Sequence, residues 1–192
     1  IVELGFQAID ISEFTDHPEM MNGRVKTLHP KVHAGILANR DEHMNELESM
    51  SYLPIDLIVV NLYPFAETLK SGKEFSEVIE NIDIGGPTMI RAAAKNFKDV
   101  LVLSDPSQYE EFLSRKMEKT IDIDFRKRCA ARVFELMSQY DNLIAGYLSE
   151  NEKTNFIGTE HFKSPQQLRY GENPNQDAEP VSYTHLRAHE TS

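Results

Sequence analysis

A continuous apolar run from Ile55 to Leu62, interrupted only by Asp56 and Asn61, constrains the fold of this chain most strongly. Such a run suits a strand that is covered on both faces, as in a parallel sheet flanked by helices. A second strand of the buried type is predicted at Val100–Leu103. Because helical patterns separate the strands, the sequence predicts an α/β fold with a mainly parallel sheet, whose ligands bind at the carboxyl ends of the strands.

Outside these strands, up to Leu148, the chain is predicted to be mainly helical. Its start is the exception, because Ile1–Leu4 is expected to end a helix, Gly5 to cap it, and Phe6–Ile11 to form a strand. The predicted helices are a short one from Pro30 that carries Val32, Ile36 and Leu37, a polar one that ends near Met50, Phe75–Ile82, Asp105 to about Lys119, and Phe125–Leu148. The last is the longest, and its apolar residues at three- and four-residue steps predict that it lines the core.

Charge and cysteine content exclude several classes of function. Asp plus Glu number 31 against 20 Lys plus Arg, and the formal net charge of −11 opposes non-specific binding to nucleic acid or to an anionic membrane. Cys129 is the only cysteine, so an intrachain disulfide and a cysteine-based zinc site are excluded, and a cytoplasmic location is expected. No apolar run reaches the length of a membrane span.

Residues 81–96 combine a carboxylate, a glycine turn, a helix start and two cations. Gly85–Gly86 allows the backbone to approach a ligand closely, and Pro87 is expected at the first helical position. The start of this helix would favour phosphate or a developing oxyanion. Arg91 and Lys95 form a like-charge pair that is unfavourable unless an anion lies near them. A solvated helix flank is the alternative, but the three alanines between the two cations favour close packing on a neighbour.

A basic cluster in an otherwise acidic chain is the second feature. Its members are Arg24, Lys26, His29, Lys31 and His33. A cluster of positive charge in a chain whose net charge is negative indicates a specific site for an anion. His29 and His33 have the spacing of an H-x-x-x-H metal pair. No catalytic glutamate is adjacent, and Pro30 lies where a continuous helix would be needed, so no metal site is expected.

Three segments match one protein family in order and spacing. They are Gly23–Pro30, Asn61–Phe65, and Ile82–Gly86 followed by Lys95. On these motifs the chain resembles the bifunctional purine biosynthesis proteins that join an IMP cyclohydrolase domain to an AICAR transformylase domain. The resemblance runs to about Gln176, and Arg169–Pro174 is similar to the start of the transformylase half.

The resemblance implies four parts in the chain. These are an IMP cyclohydrolase domain over 1–150 with a methylglyoxal-synthase-like, three-layer α/β fold, a linker over 151–166, the start of the transformylase domain over 167–178, and a non-native tail over 179–192. It also implies dehydrative ring closure of formyl-AICAR to IMP, without a metal or an organic cofactor, and a homodimer in the full-length protein. The transformylase reaction would use 10-formyltetrahydrofolate, and its catalytic core is not expected in this chain.

The resemblance implies two sets of site residues, each assigned from the positions that match the family's motifs. In the catalytic set, Lys95 is the expected proton donor and acceptor, and Asp83, Tyr63 and Lys26 surround the reacting groups. The substrate-binding set is Arg24, Val25, Lys26, Thr27, Asn61, Asp83, Ile84, Gly85, Gly86, Arg169 and Tyr170. Taken singly, Tyr63 is also explained as a packed strand-end aromatic, Asp83 as a turn or cap residue, and Lys26 as a solvated loop cation.

Two departures from the family pattern leave alternatives open. Family members begin with a strand and a phosphate-binding loop that would precede Ile1, so weak binding or none is expected without them. After Gln176 the pattern ends, and Val181–Ser192 resembles a translated library sequence. The alternatives to a cyclohydrolase are a methylglyoxal-synthase-like sensor of a phosphorylated metabolite and an inert fragment. The joint presence of Tyr63, Asp83 and Lys95 favours catalysis.

Overall fold

Two parallel strands form the sheet of the computed structural model, which describes residues 2–149 of the chain. Strand β1 (Leu57–Val59) pairs with β2 (Leu101–Leu103), so that Leu57 lies opposite Leu101 and Val59 opposite Leu103. The chain divides after Glu150, and the second unit, Asn151–Ser192, lies outside the described residues. The predicted linker, transformylase segment and tail therefore lie outside them as well.

The predicted parallel pairing is confirmed, but the prediction that the first strand is covered on both faces is wrong. All three residues of β2 are buried, whereas in β1 only Ile58 is buried, and Leu57 and Val59 are 36% and 48% exposed. Successive side chains of a strand point to opposite faces, and only the Ile58 face of β1 joins the core. The strand is also shorter than the apolar run Ile55–Leu62, because its ladder with β2 covers only three residues.

Eight α-helices lie within the described part of the chain. They are α1 (Ile11–Thr15), α2 (Pro30–Leu37), α3 (Met44–Ser49), α4 (Phe65–Lys70), α5 (Phe75–Glu80), α6 (Gly85–Lys95), α7 (Tyr109–Glu118) and α8 (Ile123–Leu148). Short 3₁₀ turns cover Val2–Leu4 and Pro106–Gln108. The predicted helices that correspond to α2, α3, α5, α6, α7 and α8 are confirmed, whereas α1 and α4 were not predicted.

The strand predicted at Phe6–Ile11 is absent from the structure, which is a correction to the sequence prediction. Phe6–Asp10 has no regular structure, and Ile11 begins α1. Asp10 explains the change, because its carboxylate accepts a hydrogen bond from the Ser12 N–H at 2.9 Å and so caps α1. Phe6 and Ile9 are exposed, and the described residues offer them no strand to pair with.

Helix α6 begins two residues earlier than predicted, at Gly85, so Pro87 is its third residue and not its first. The first four N–H groups of a helix have no partner within it, so a proline at the third position loses no intrahelical hydrogen bond. The core forms where α6 and α8 pack against β2. Its largest fully buried side chains are Phe65, Phe125, Ile36, Ile90, Leu103, Met137, Val78, Val100, Val102 and Val133. Among residues 2–149, no helix has the length and apolar character needed to cross a membrane.

Candidate active site

The turn that precedes α6 is held by Asp83 from two sides. Its Oδ1 accepts a hydrogen bond from the Gly86 N–H at 2.9 Å, and its own N–H donates to the Tyr140 hydroxyl at 2.8 Å. Tyr140 belongs to α8 and is only 6% exposed, and this burial raises the pKa of its phenol. The long core helix thus fixes the backbone of the residue whose carboxylate caps α6.

The two glycines at the start of α6 allow three separate segments to meet. A Cβ at Gly85 would lie 2.5 Å from Thr27 Oγ1. A Cβ at Gly86 would lie 2.6 Å from Asp83 Oδ2 and 3.1 Å from Leu62 Cδ2. Real Cβ atoms do not approach other atoms within 3.0 Å, and a contact at 3.1 Å is unusually tight. The absence of a side chain at these positions therefore lets the basic segment, the loop after β1 and the turn meet.

The basic segment places two cations beside carboxylates. Arg24 forms an ion pair with Glu80 of α5, and Lys26 Nζ lies 2.9 Å from Glu19 Oε1. The hydrogen bond to Glu19 is the main cause that raises the pKa of Lys26, with smaller electrostatic contributions from Glu19, Tyr63 and Asp10. All these side chains are substantially exposed, so each pair adds little stability, and an anion could compete with the carboxylates for either cation.

The loop after β1 supplies Asn61 and Tyr63. Asn61 Oδ1 accepts a hydrogen bond from the Tyr109 hydroxyl at 3.0 Å, which joins this loop to the start of α7. Tyr63 is 63% exposed, so it is not the packed strand-end aromatic that one interpretation of the sequence suggested. Its exposed ring is free to contact a ligand, and its phenol is close enough to Lys26 for the two groups to interact electrostatically.

Lys95 ends α6, whereas Thr27 and Asp83 lie at its beginning. Lys95 is ten positions after Gly85, which corresponds to about 15 Å along a helix axis. Lys95 is exposed and makes no hydrogen bond or ion pair with residues 2–149. Arg91, one turn earlier, is held by Asp141 of α8 at 2.7 Å. The predicted Arg91–Lys95 like-charge pair is therefore relieved by a carboxylate.

The remaining candidates have structural positions. Val25 forms an isolated antiparallel bridge with Met20, and Ile84 is the exposed residue that precedes α6. His29 caps α2, since its Nδ1 accepts from the Lys31 N–H at 3.1 Å. No group of three or more His, Cys, Asp or Glu side chains is arranged to hold a metal within the part of the chain that the structure describes. Arg169 and Tyr170 lie outside that part.

Four residues around the site were not singled out from the sequence. Glu19 and Glu80 pair with the cations, Tyr109 binds Asn61, and Tyr140 binds the backbone of Asp83. The helical periodicity indicated that Tyr140 is a core residue, but periodicity does not show where a hydroxyl group finds its partner. Nothing in the spacing of Glu80 or Tyr109 indicates their contacts, because these depend on how distant elements pack.

Comparison with known proteins gives matches along the whole chain. The model of the MGS-like domain matches residues 1–88, and that of the AICARFT/IMPCHase bienzyme matches residues 93–192. The bifunctional purine biosynthesis protein PurH of Clostridium botulinum strain Hall is 51% identical over 92% of this chain and 36% of the relative. PurH of Leuconostoc mesenteroides is 47% identical over 98% of this chain and 39% of the relative. The crystal structure of ForH has a TM-score of 0.65 at 31% identity, and the match covers 75% of this chain and 76% of ForH.

The two PurH matches cover this chain far more completely than they cover the PurH proteins. The chain spans little more than a third of the length of the curated relatives, at 36% and 39%. The MGS-like match, together with helices packed on a parallel sheet, confirms the predicted methylglyoxal-synthase-like α/β fold.

Proposed function

Because the chain belongs to the AICARFT/IMPCHase bienzyme family, we propose that it acts in purine biosynthesis and that residues 1–150 form the IMP cyclohydrolase unit. The reaction would be the dehydrative closure of the purine ring of formyl-AICAR to give IMP. The observation that supports this proposal best is the meeting of three motif segments at the start of α6, where Gly85 and Gly86 approach Thr27, Asp83 and Leu62.

Ring closure makes specific demands on such a site. The carboxamide nitrogen attacks the formamide carbon, the carboxamide and the formamide nitrogens each lose one proton, and the formyl oxygen leaves as water. Holding the two groups of one molecule in a reactive conformation supplies much of the rate. The rest is proton transfer and stabilisation of charge on the formyl oxygen.

The basic segment and the start of α6 would hold the nucleotide. Arg24, Lys26 and Thr27 supply cations and a hydroxyl group, and Val25 and Ile84 flank them. At the helix start, Asp83 occupies the Gly86 N–H and Pro87 has none. Within the described residues, this leaves the Ile84 and Gly85 N–H groups for an anion. On binding, a phosphate or a carbonyl oxygen of the nucleotide would replace Glu80 as the partner of Arg24 and Glu19 as the partner of Lys26.

The catalytic roles follow from what each group can do. Asp83, with Oδ1 on the Gly86 N–H, keeps Oδ2 to orient or accept from the carboxamide. Tyr63 and Lys26 would stabilise the oxygen charge or pass a proton. Lys95 would act as proton donor and acceptor. Because a helical side chain leans towards the N-terminus of its helix, the Lys95 side chain would extend towards the other groups.

Further properties of the whole protein belong to the same proposal. They are a homodimer, a cytoplasmic location, no metal or organic cofactor for ring closure, and 10-formyltetrahydrofolate as the formyl donor of the transformylase half. A sensor of a phosphorylated metabolite is the second candidate, because it would need the basic segment but not the exposed Tyr63 or Lys95.

The test is the formation of IMP from formyl-AICAR by this chain and by a full-length family member with the equivalent substitutions. Lys95→Ala is expected to lower turnover by about 10²- to 10⁴-fold, the usual range for losing general acid–base catalysis. Lys98→Ala is the matched control, because Lys98 is an exposed lysine bound to Asp41 away from the site, and it should retain turnover. Near-normal turnover in Lys95→Ala would refute the role of Lys95. Nucleotide binding without turnover in either protein would favour the sensor.

A further inference from the structure

A side-chain hydrogen bond joins the loops that follow the two strands. The Tyr109 hydroxyl donates to Asn61 Oδ1 at 3.0 Å, from the first residue of α7 to the loop after β1. Nearby, the Val60 N–H donates to the Leu103 carbonyl at 3.0 Å, so the backbone of this loop is already tied to β2. The contact between Tyr109 and Asn61 is therefore not needed to hold the two strands together, and it acts on the side chain of Asn61.

Tyr109 is itself firmly placed. It follows a capping box in which Gln108 Oε1 accepts from the Ser104 N–H at 2.8 Å and from the Asp105 N–H at 3.0 Å. Its ring packs against the hydrophobic core. Asn61 is exposed, by contrast. The tyrosine is therefore held in place by the core, and its hydrogen bond determines how the side-chain amide of the exposed asparagine is oriented.

The orientation of that amide decides what Asn61 can offer a ligand. The asparagine side-chain amide is planar and carries its acceptor oxygen on one side of the Cγ atom and its two N–H donors on the other. With Oδ1 occupied by the Tyr109 hydroxyl, the Nδ2 donors face away from α7, and they have no partner within residues 2–149. A ligand at this position must therefore present an acceptor, such as a phosphate, ribose or carbonyl oxygen of a nucleotide.

We propose that Tyr109 is a positioning residue, which fixes the Asn61 amide so that its Nδ2 donors face an oxygen of the bound purine nucleotide. This inference rests on the proposed function, because it takes a purine nucleotide as the ligand. Without the Tyr109 hydroxyl, the amide can rotate and present its oxygen to the ligand oxygen, so part of the population would bind poorly.

The experiment measures IMP binding by calorimetry in the chain and in five variants, four of them single and one double. Tyr109→Phe is expected to raise the Kd for IMP by about three- to tenfold, the effect of one hydrogen bond. Asn61→Asp keeps an oxygen for Tyr109 but loses the Nδ2 donors, and it should bind IMP more weakly still. In an Asn61→Ala background, Tyr109→Phe should add no further loss. Tyr147→Phe is the control, since within the described residues Tyr147 makes ring contacts but no hydrogen bond through its hydroxyl.

A second measurement needs no ligand and separates the inference from the proposed function. In a nitrogen–proton correlation spectrum, Tyr109→Phe should shift the side-chain amide resonances of Asn61, and Tyr147→Phe should leave them in place. The inference is overturned if Tyr109→Phe leaves the Asn61 amide resonances unshifted, or if its Kd for IMP equals that of Tyr147→Phe. It is also overturned if Tyr109→Phe weakens IMP binding as much in the Asn61→Ala background as in the wild type. Where only a full-length family member binds IMP, the equivalent variants are compared in that protein. If the amide shifts but neither the chain nor the full-length member binds IMP, the contact stands, and both the nucleotide role of Tyr109 and the proposed function are refuted.

Discussion

Gly86→Ala tests whether close approach at the start of α6 assembles the site. Gly86 is buried, and a methyl group there would lie 2.6 Å from Asp83 Oδ2 and 3.1 Å from Leu62 Cδ2. The Asp83 carboxylate is the part that can move, but moving it breaks the 2.9 Å hydrogen bond from the Gly86 N–H. The substitution should therefore remove the cap of α6 and displace a candidate catalytic group together.

The expected change in the free energy of unfolding combines three effects. Loss of the cap costs about 1 kcal/mol. Overpacking against Leu62 costs about 1–3 kcal/mol. Alanine is favoured over glycine inside a helix by about 1 kcal/mol, which offsets part of the loss. The net destabilisation is about 1–3 kcal/mol, or a fall in Tm of roughly 2–10 °C for a domain of this size.

Urea denaturation measures this change, and Gly146→Ala is the matched control. Gly146 lies in α8 with nothing within 4 Å of the position of its Cβ, so alanine there should be neutral or stabilising. In an Asp83→Ala background, which removes the clashing carboxylate, Gly86→Ala should destabilise the chain less than in the wild type. Equal stabilities of Gly86→Ala and Gly146→Ala would refute the reasoning. So would an unchanged effect in the Asp83→Ala background, since the carboxylate would then not be the obstacle.

Two further predictions concern polar groups that hold the site and its surroundings. Tyr140→Phe should destabilise the chain by about 1–3 kcal/mol, because the Asp83 N–H loses its partner, and thermal melts should show almost no effect for Tyr147→Phe. Hydrogen bonds from the Ser107 hydroxyl and backbone N–H lower the pKa of Asp105. The ionised carboxylate of Asp105 therefore stabilises the fold at pH values above its unfolded pKa near 3.8. This contribution is lost as the pH falls through the lower pKa of the folded state. Stability curves of wild type and Asp105→Asn should therefore converge towards low pH, and a constant gap would contradict the assignment.

The fold was predictable where local pattern and tertiary packing agree. The periodicity of α8 identifies its buried face correctly, with Cys129, Val133 and Met137 all in the core. Asp105 and Pro106 correctly mark the start of the 3₁₀ turn before α7. At Phe6–Ile11 the pattern misled, because a strand needs a partner and Asp10 offers a helix cap instead. An apolar run likewise does not show which strand face is covered, and in β1 one face is left partly exposed.

The site was predictable as a set of segments but not as a set of contacts. The glycine turn and the basic segment were identified from residue type, and they do meet at Gly85 and Thr27. The carboxylates that hold Arg24 and Lys26 could not be identified in the same way, because acidic residues are frequent in this chain and only the packing of α5 selects Glu80. The predicted helix start between Asp83 and Lys95 did indicate that these two residues lie more than two turns apart, and α6 separates them by its full length.

Asp83 shows why the structural and the functional interpretations of a residue need not exclude each other. Its Oδ1 caps α6, as a turn residue would, and its backbone N–H is held by Tyr140 of the core. Both contacts restrict the side chain to one orientation, which a group that must meet a reacting carboxamide requires. Because a carboxylate has a second oxygen, Asp83 can cap the helix with Oδ1 and still use Oδ2 to bind a ligand or accept a proton. Asp83→Asn should then preserve much of the stability, since the amide oxygen can still accept from Gly86, while ring closure falls. A parallel loss of stability and turnover would show that Asp83 serves the fold alone.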